Sequence, residues 1–179
     1  MIEKIRLWWK FEGRYYPTDF IKGIKNIWNW FPVIWKDRDW DSDFIYKVLI
    51  HKLEKQATHI HKYGRHVDAK RDAEKMFLCA RLARIQQQEL YMDEYYDTHE
   101  MKFEFVPTDE TEQWFTMESE MLSENFTDYL YKYRHQYKLI DKTGLDKQEI
   151  AREIAYINQN RSRKLLFKIM EENIERWWN

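Results

Sequence analysis

Two amphipathic stretches, residues 43–63 and 69–98, meet at the sequence HKYGRHVD and constrain this chain more than any other feature. In the first, Phe44, Ile45, Val48, Leu49, Leu53, Ala57 and Ile60 recur at intervals of three and four, which places them on one side of an α-helix. In the second, Ala73, Met76, Phe77, Ala80, Ala83, Leu90 and Tyr95 do the same, with a flanking row at Leu78, Leu82 and Ile85. Gly64 suits a helix C-terminus and Asp68 a helix N-cap. The spacing predicts a long helical hairpin over 41–98 with a basic tip.

The remainder is read around that hairpin. Residues 2–11 alternate, with Ile5, Leu7, Trp9 and Phe11 opposed to Lys4, Arg6 and Lys10, a strand pattern. A turn at Gly13 would let Tyr15 and Tyr16 pair back. Residues 20–31 predict a short helix ended by Pro32, and Asp41 or Ser42 can cap the hairpin's first helix. Residues 101–106 alternate again and suit a third strand beside the N-terminal pair. The stripe Leu122, Phe126, Tyr129, Leu130, Tyr133, Tyr137 and Ile140 predicts a helix over 115–140. Residues 146–157 and 162–178 predict two more helices, or one with a polar break at NQNRSRK. The expected fold is mainly α with a small N-terminal antiparallel β element (α+β), a long helical hairpin and C-terminal helices. It is expected as a single domain over 1–179: hairpin and short helix in 1–40, helical hairpin in 41–98, third strand and C-terminal helices in 101–179.

Several chemistries lack their residues. With 4 Gly and 3 Pro, the chain has no glycine-rich phosphate cradle, and no Walker, Rossmann or nucleophile-elbow pattern occurs. The single cysteine, Cys79, sits in the apolar run MFLCARLA and is expected as an inert core thiol. Four of the six histidines, His51, His59, His61 and His66, lie in 51–66, but HExxH and paired-Cys zinc spacings are absent. No metal site and no cofactor are therefore expected. No signal peptide and no run of membrane-spanning length is visible, so a cytoplasmic protein without a membrane partner is expected.

Charge is segregated. Residues 89–128 hold thirteen acidic side chains and one basic one, Lys102, a net charge of −12 that leaves +11 for the rest of the chain. Such blocks set up local fields that the total of −1 conceals. The acidic surface expected to bind a partner comprises Glu89, Asp93, Glu94, Asp97, Glu100, Glu104, Asp109, Glu110 and Glu112. It could pair internally with the basic hairpin, stay solvated, or mimic the phosphates of nucleic acid. The alternative site is the hairpin tip, Tyr63, Arg65, His66, Lys70 and Arg71, which could hold the phosphate of a nucleic acid or nucleotide. Carboxylates at helical spacing, Glu94 with Asp97 and Asp68 with Asp72, would suit a Mg²⁺-dependent all-α nucleotide hydrolase, although such spacings arise by chance in a chain this charged. Aromatic anchors cluster towards the two ends as Trp8, Trp9, Trp35, Trp40, Trp177 and Trp178, either closing a core or meeting a partner.

The strings WWKFEGRYY, GIKNIWNWFPVIWKDRDWD and YGRHVDAKRDAEKMFLC, with the closing Trp177-Trp178, resemble a family of tailed-bacteriophage proteins marked by WKDRDWD. The resemblance is strongest over 8–85. Members of that family end in Trp-Trp-Asp, whereas this chain ends in Asn179, so no charged role passes to that position. The family carries no activity or catalytic residue across. It implies a phage protein at work in the host cell, and small phage proteins without catalytic motifs often redirect host machinery. Together these readings give a non-enzymatic protein that engages a host factor through its acidic segment, in a counter-defence or host-takeover role.

Overall fold

In the computed structural model, residues 2–11, 13–35, 42–108 and 114–178 are described. The chain divides into two compact units, Met1–Val48 and Leu49–Asn179.

The first unit is helical. Helix α1 spans Ile2–Phe11, a single 3-10 turn spans Gly13–Tyr15, and α2 spans Tyr16–Ile34. The expected N-terminal β-hairpin is thus corrected. A strand needs a partner for its backbone groups, and among the described residues the two strands pair with each other elsewhere. As a helix, α1 sets Trp8 5.4 Å from Tyr16, ring centroid to ring centroid. Gly13 turns the chain beneath these rings, where a Cβ would lie 2.6 Å from Cε3 of Trp9. Helix α2 is longer than the sequence suggests at both ends. Pro17 fits its first turn, where the missing N–H has no helical partner to lose. Pro32 lies inside the last turn rather than ending the helix, and the Trp35 N–H bonds Phe31 O at 3.0 Å beyond it. Thr18 does not cap: its hydroxyl donates to Tyr15 O at 2.7 Å. Asp41, Arg38 and Trp40 lie outside the described residues.

Helix α3 (Ser42–Tyr63) begins in the first unit and continues into the second, where it is followed by α4 (Ala69–Gln87) and α5 (Leu90–Tyr96). The turn between α3 and α4 needs Gly64, because a Cβ there would meet Ile60 O at 2.5 Å and Ala69 Cβ at 2.7 Å. Arg84 of α4 reaches back to Glu54 of α3 at 2.7 Å. The second limb is not one helix to residue 98. Glu89 adopts the left-handed conformation (φ 47°, ψ 37°), and the helix restarts at Leu90. The break falls in QQQE, where no apolar side chain holds the helix to a core.

Strands β1 (His99–Pro107) and β2 (Phe115–Glu124) form a two-stranded antiparallel ribbon with a bulge at Glu100/Met101. The small β element is therefore central and not N-terminal. Residues 115–124 form its second strand, whereas the sequence stripe predicts the start of a helix. Short helices α6 (Phe126–Lys132) and α7 (Arg134–Tyr137) follow.

Helix α8 runs unbroken over Lys147–Asn173 and passes into a 3-10 segment, Ile174–Trp178. A capping box starts it: Asp146 accepts from the Glu149 N–H at 2.7 Å and Glu149 accepts from the Asp146 N–H at 3.0 Å. NQNRSRK is not a break, because Asn158 and Ser162 within it are buried and its exposed polar side chains sit on the outer face of one continuous helix. Gln86 of α4 donates to Ser162 Oγ and to Gln159 O (3.1 Å), and Lys75 of α4 donates to Asn173 Oδ1. The pairings 75–173 and 86–162 run in opposite directions, so α4 and α8 are antiparallel. Ala69, Ala73, Ala80 and Ala83 make the buried face of α4 small enough for close approach. At the other end of α8, Ile150, Ala151, Ile154 and Ala155 pack with Met92, Tyr95, Phe126 and Tyr129. Burial of such apolar area, at about 25 cal/mol per Å², is what holds these short helices to α8.

Candidate functional site

The acidic segment separates into two environments. At the end of α5, Glu94 is committed internally: one carboxylate oxygen takes Lys132 Nζ and the other accepts the Tyr133 hydroxyl at 2.7 Å. Burial first, then this bond and the Glu94 charge, push the Tyr133 hydroxyl above the ordinary tyrosine range. Tyr129 is raised likewise, chiefly by burial. Glu94, Asp97, Thr98, Asn125, Asp128, Tyr129 and Lys132 line a cleft of ≈ 240 Å³. Its charges are largely answered from within, since Asp128 accepts from Asn125 at 2.9 Å. Glu89 and Asp93 are exposed beside it.

The ribbon is different. Its register sets Lys102 opposite Glu120, Glu104 opposite Glu118 and Val106 opposite Thr116 on one face. Met101, Phe103, Phe105 and Pro107 meet Met121, Ser119, Met117 and Phe115 on the other. Both faces lie in solvent: Glu104, Glu118 and Glu120 are exposed, and so are Phe103, Phe105, Phe115 and Met117. Two like charges placed directly opposite destabilise a strand pair, so Glu104 facing Glu118 is unfavourable across the strands and is answered only in part, on the Glu104 side. Lys102 pairs with Glu104 on the same strand. At its root the ribbon is held firmly. Asn125 N–H bonds Thr98 O at 2.7 Å, Thr98 Oγ1 donates to Tyr95 O at 2.6 Å, and the His99 ring lies 5.3 Å from Phe126. A second cleft, ≈ 400 Å³, opens where the apolar face meets α8, between Tyr95, Tyr96, His99, Met101 and Phe103 on one side and Gln148 and Arg152 on the other.

Of the acidic residues singled out in the sequence, Glu100 and Glu104 stand on this ribbon, and Asp109, Glu110 and Glu112 lie outside the described residues. Glu118, Glu120 and Glu124 belong with them and are missed by a reading that makes 115–124 helical. The alternation of Phe115, Met117 and Met121 with Glu118 and Glu120 is the signal that reveals them. The ion pairs described for the two charge blocks stay apart. Those of the hairpin are Lys47–Asp43, His66–Asp72, Arg71–Asp68 and Arg84–Glu54, while those of the acidic block run to Lys102 and Lys132. None of these joins the blocks.

The basic tip is partly neutralised. Asp68 takes both Arg71 (2.8 Å) and Arg176 (3.0 Å) from the C-terminal segment. His66 turns inward, with Nε2 3.3 Å from the carboxylate of buried Asp72. Tyr63, Arg65 and Lys70 remain exposed. Asp68 and Asp72 thus answer different cations. Among the described residues no group of three His, Cys, Asp or Glu stands close enough to hold a metal ion. Cys79 is fully buried, and burial pushes its thiol up to about 11.

The tryptophans divide as well. Trp177 is buried, and its carbonyl accepts from Gln56 of α3 at 2.9 Å, so it closes the second unit. Trp8, Trp9 and Trp35 are exposed, Trp35 resting on Phe31 at 4.8 Å. The side chain of Trp178 lies outside the description. Among the described residues no helix is long and apolar enough to cross a membrane.

Comparisons with protein families, with curated proteins and with solved structures return no match for this chain.

Proposed function

We propose that this chain is a phage-encoded, non-enzymatic binding protein whose ribbon engages a basic surface of a host protein. The observation that carries the reading is Glu104 held directly across from Glu118, both exposed and with Lys102 paired to Glu104 alone, on a ribbon whose opposite face is apolar. Paired carboxylates in water repel each other, and a basic partner relieves that repulsion as it docks. Electrostatic complementarity of this kind speeds encounter and selects the partner. The apolar face and the cleft at the ribbon root then offer Phe103, Phe105 and Met101 to aliphatic or aromatic side chains of the same partner. The phage setting comes from the resemblance of residues 8–85 alone, and a counter-defence or host-takeover role follows from that setting.

The test is retention of a host protein by the tagged full chain after nuclease treatment, at low and at moderate salt. The triple variant Glu104→Gln, Glu118→Gln, Glu120→Gln is expected to lose that protein while melting at an unchanged or higher temperature. Retention that survives the triple variant refutes the ribbon as the binding surface. Retention of nucleic acid or nucleotide in place of protein moves the binding surface to Tyr63, Arg65 and Lys70.

A further inference from the structure

The first unit has amphipathic helices whose described residues form no apolar core. No apolar side chain described in residues 2–35 is buried. In α2, Phe20, Ile21, Ile24, Ile27, Trp28, Phe31 and Ile34 fall on one continuous arc of roughly 140° at 3.6 residues per turn. Lys22, Lys25, Asn26 and Asn29 occupy the opposite side with Thr18 and Asp19, where Lys22 pairs with Asp19 at 3.4 Å and half-buried Val33 and Trp30 also fall. Exposure is large on that arc, 70% for Phe20 and 79% for Trp28. Residues 2–35 carry six basic and three acidic side chains, opposite in sign to the block at 89–128.

From this we infer that α1 and α2 form an interfacial lipid-binding element that lies on an anionic bilayer surface, with the aromatic arc of α2 in the headgroup–acyl boundary. Three observations favour a lipid surface over other cover. Residues 2–35 carry a basic excess, complementary to anionic headgroups. The apolar side is wide and rich in Trp, Tyr and Phe, the side chains that settle at a membrane interface. A second copy would bring the same positive charge against itself. Helix α2 interrupts its apolar residues with Lys22 and Lys25, which suits lying in the interface plane and not crossing it.

The experiment is flotation of the full chain with vesicles of phosphatidylcholine and phosphatidylglycerol, three parts to one, beside vesicles of phosphatidylcholine alone. Wild type is expected to float with the anionic vesicles only. Ile24→Asp with Trp28→Asp should abolish flotation, and because both side chains are exposed the melting temperature should not fall. Lys22→Glu with Lys25→Glu should weaken it roughly tenfold or more. Absence of flotation with either vesicle overturns the inference, as does flotation that survives Ile24→Asp with Trp28→Asp. A concentration-dependent dimer that the same pair dissolves, without any flotation, overturns it too and gives the arc to a second copy.

Discussion

Helix α8 and the β1–β2 ribbon both place apolar and polar side chains at regular intervals, yet they end in opposite situations. Helix α8 buries its stripe, and even its polar members Asn158, Ser162 and Asn173 are inside. The ribbon leaves both faces in water. The buried stripe of α8 is thus accounted for by packing and hydrogen bonding within the molecule, whereas Phe105, Met117 and Glu118 on the ribbon are not. A two-stranded ribbon alone is marginal in water, and this one persists because its root is tied to Thr98, Asn125 and Phe126. A surface that costs stability and is nonetheless presented on a firm base is where a partner is to be sought.

The comparison breaks most visibly at two phenylalanines. Phe126→Ala should destabilise by about 3–5 kcal/mol, since the ring is almost fully buried at the junction of α6, α8 and the ribbon root. Phe105→Ala on the ribbon should stay within about 0.5 kcal/mol. Chemical denaturation of the two variants side by side decides it, and equal losses would mean that the ribbon face is covered in solution. Next in size, Gln86→Leu should cost about 1–3 kcal/mol, because Ser162 Oγ loses its donor inside the α4–α8 seam and the Gln159 carbonyl keeps only the Ser162 hydroxyl. A thermal melt that is unchanged would show the seam to be wetter than its burial implies. Asp146→Ala removes one half of the capping box and should cost about 1 kcal/mol, read as a lower melting temperature with the helical circular-dichroism signal retained. Smallest is Glu118→Lys, which turns a repelling cross-strand pair into an attracting one and should stabilise by about 0.2–1 kcal/mol while abolishing partner retention. A loss of stability from that change would remove the argument that Glu104 and Glu118 face each other for the sake of a ligand.

The helical hairpin, its turn at Gly64 and the strand at 101–106 are legible because their periods are long or cleanly alternating and their ends carry Gly, Asp or Pro. The N-terminal segment is not, since a run such as Ile5-Arg6-Leu7-Trp8-Trp9 satisfies both periods and only the availability of a partner strand decides between them. The second ribbon strand is hidden because Leu122 and Phe126 stand at helical spacing across its end, so one stripe spans two elements. The proposed binding surface is correspondingly half legible: charge segregation marks Glu100 and Glu104, but their neighbours Glu118 and Glu120 join them only through the register. The commitment of Glu94 to Lys132 and Tyr133 is a tertiary event across 38 and 39 residues that no local spacing announces.

The polar side chains along α8 also act as a ruler. An alanine-lined helix pair is smooth, and smooth surfaces can slide past one another by a full turn of about 5.4 Å with little loss of contact area. Gln86 reaching Ser162, and Lys75 reaching Asn173, fix α4 against α8 at two points eleven residues apart on each helix. Exchanging Gln86, Lys75 and Asn173 for leucine or methionine and Ser162 for alanine, all together, would give a greasier seam, and by the precedent of buried polar groups elsewhere one no less stable. What it would lose is uniqueness: the two helices would be free to settle in several alignments. Each alignment would hold α5, and with it the root of the ribbon, at a different height.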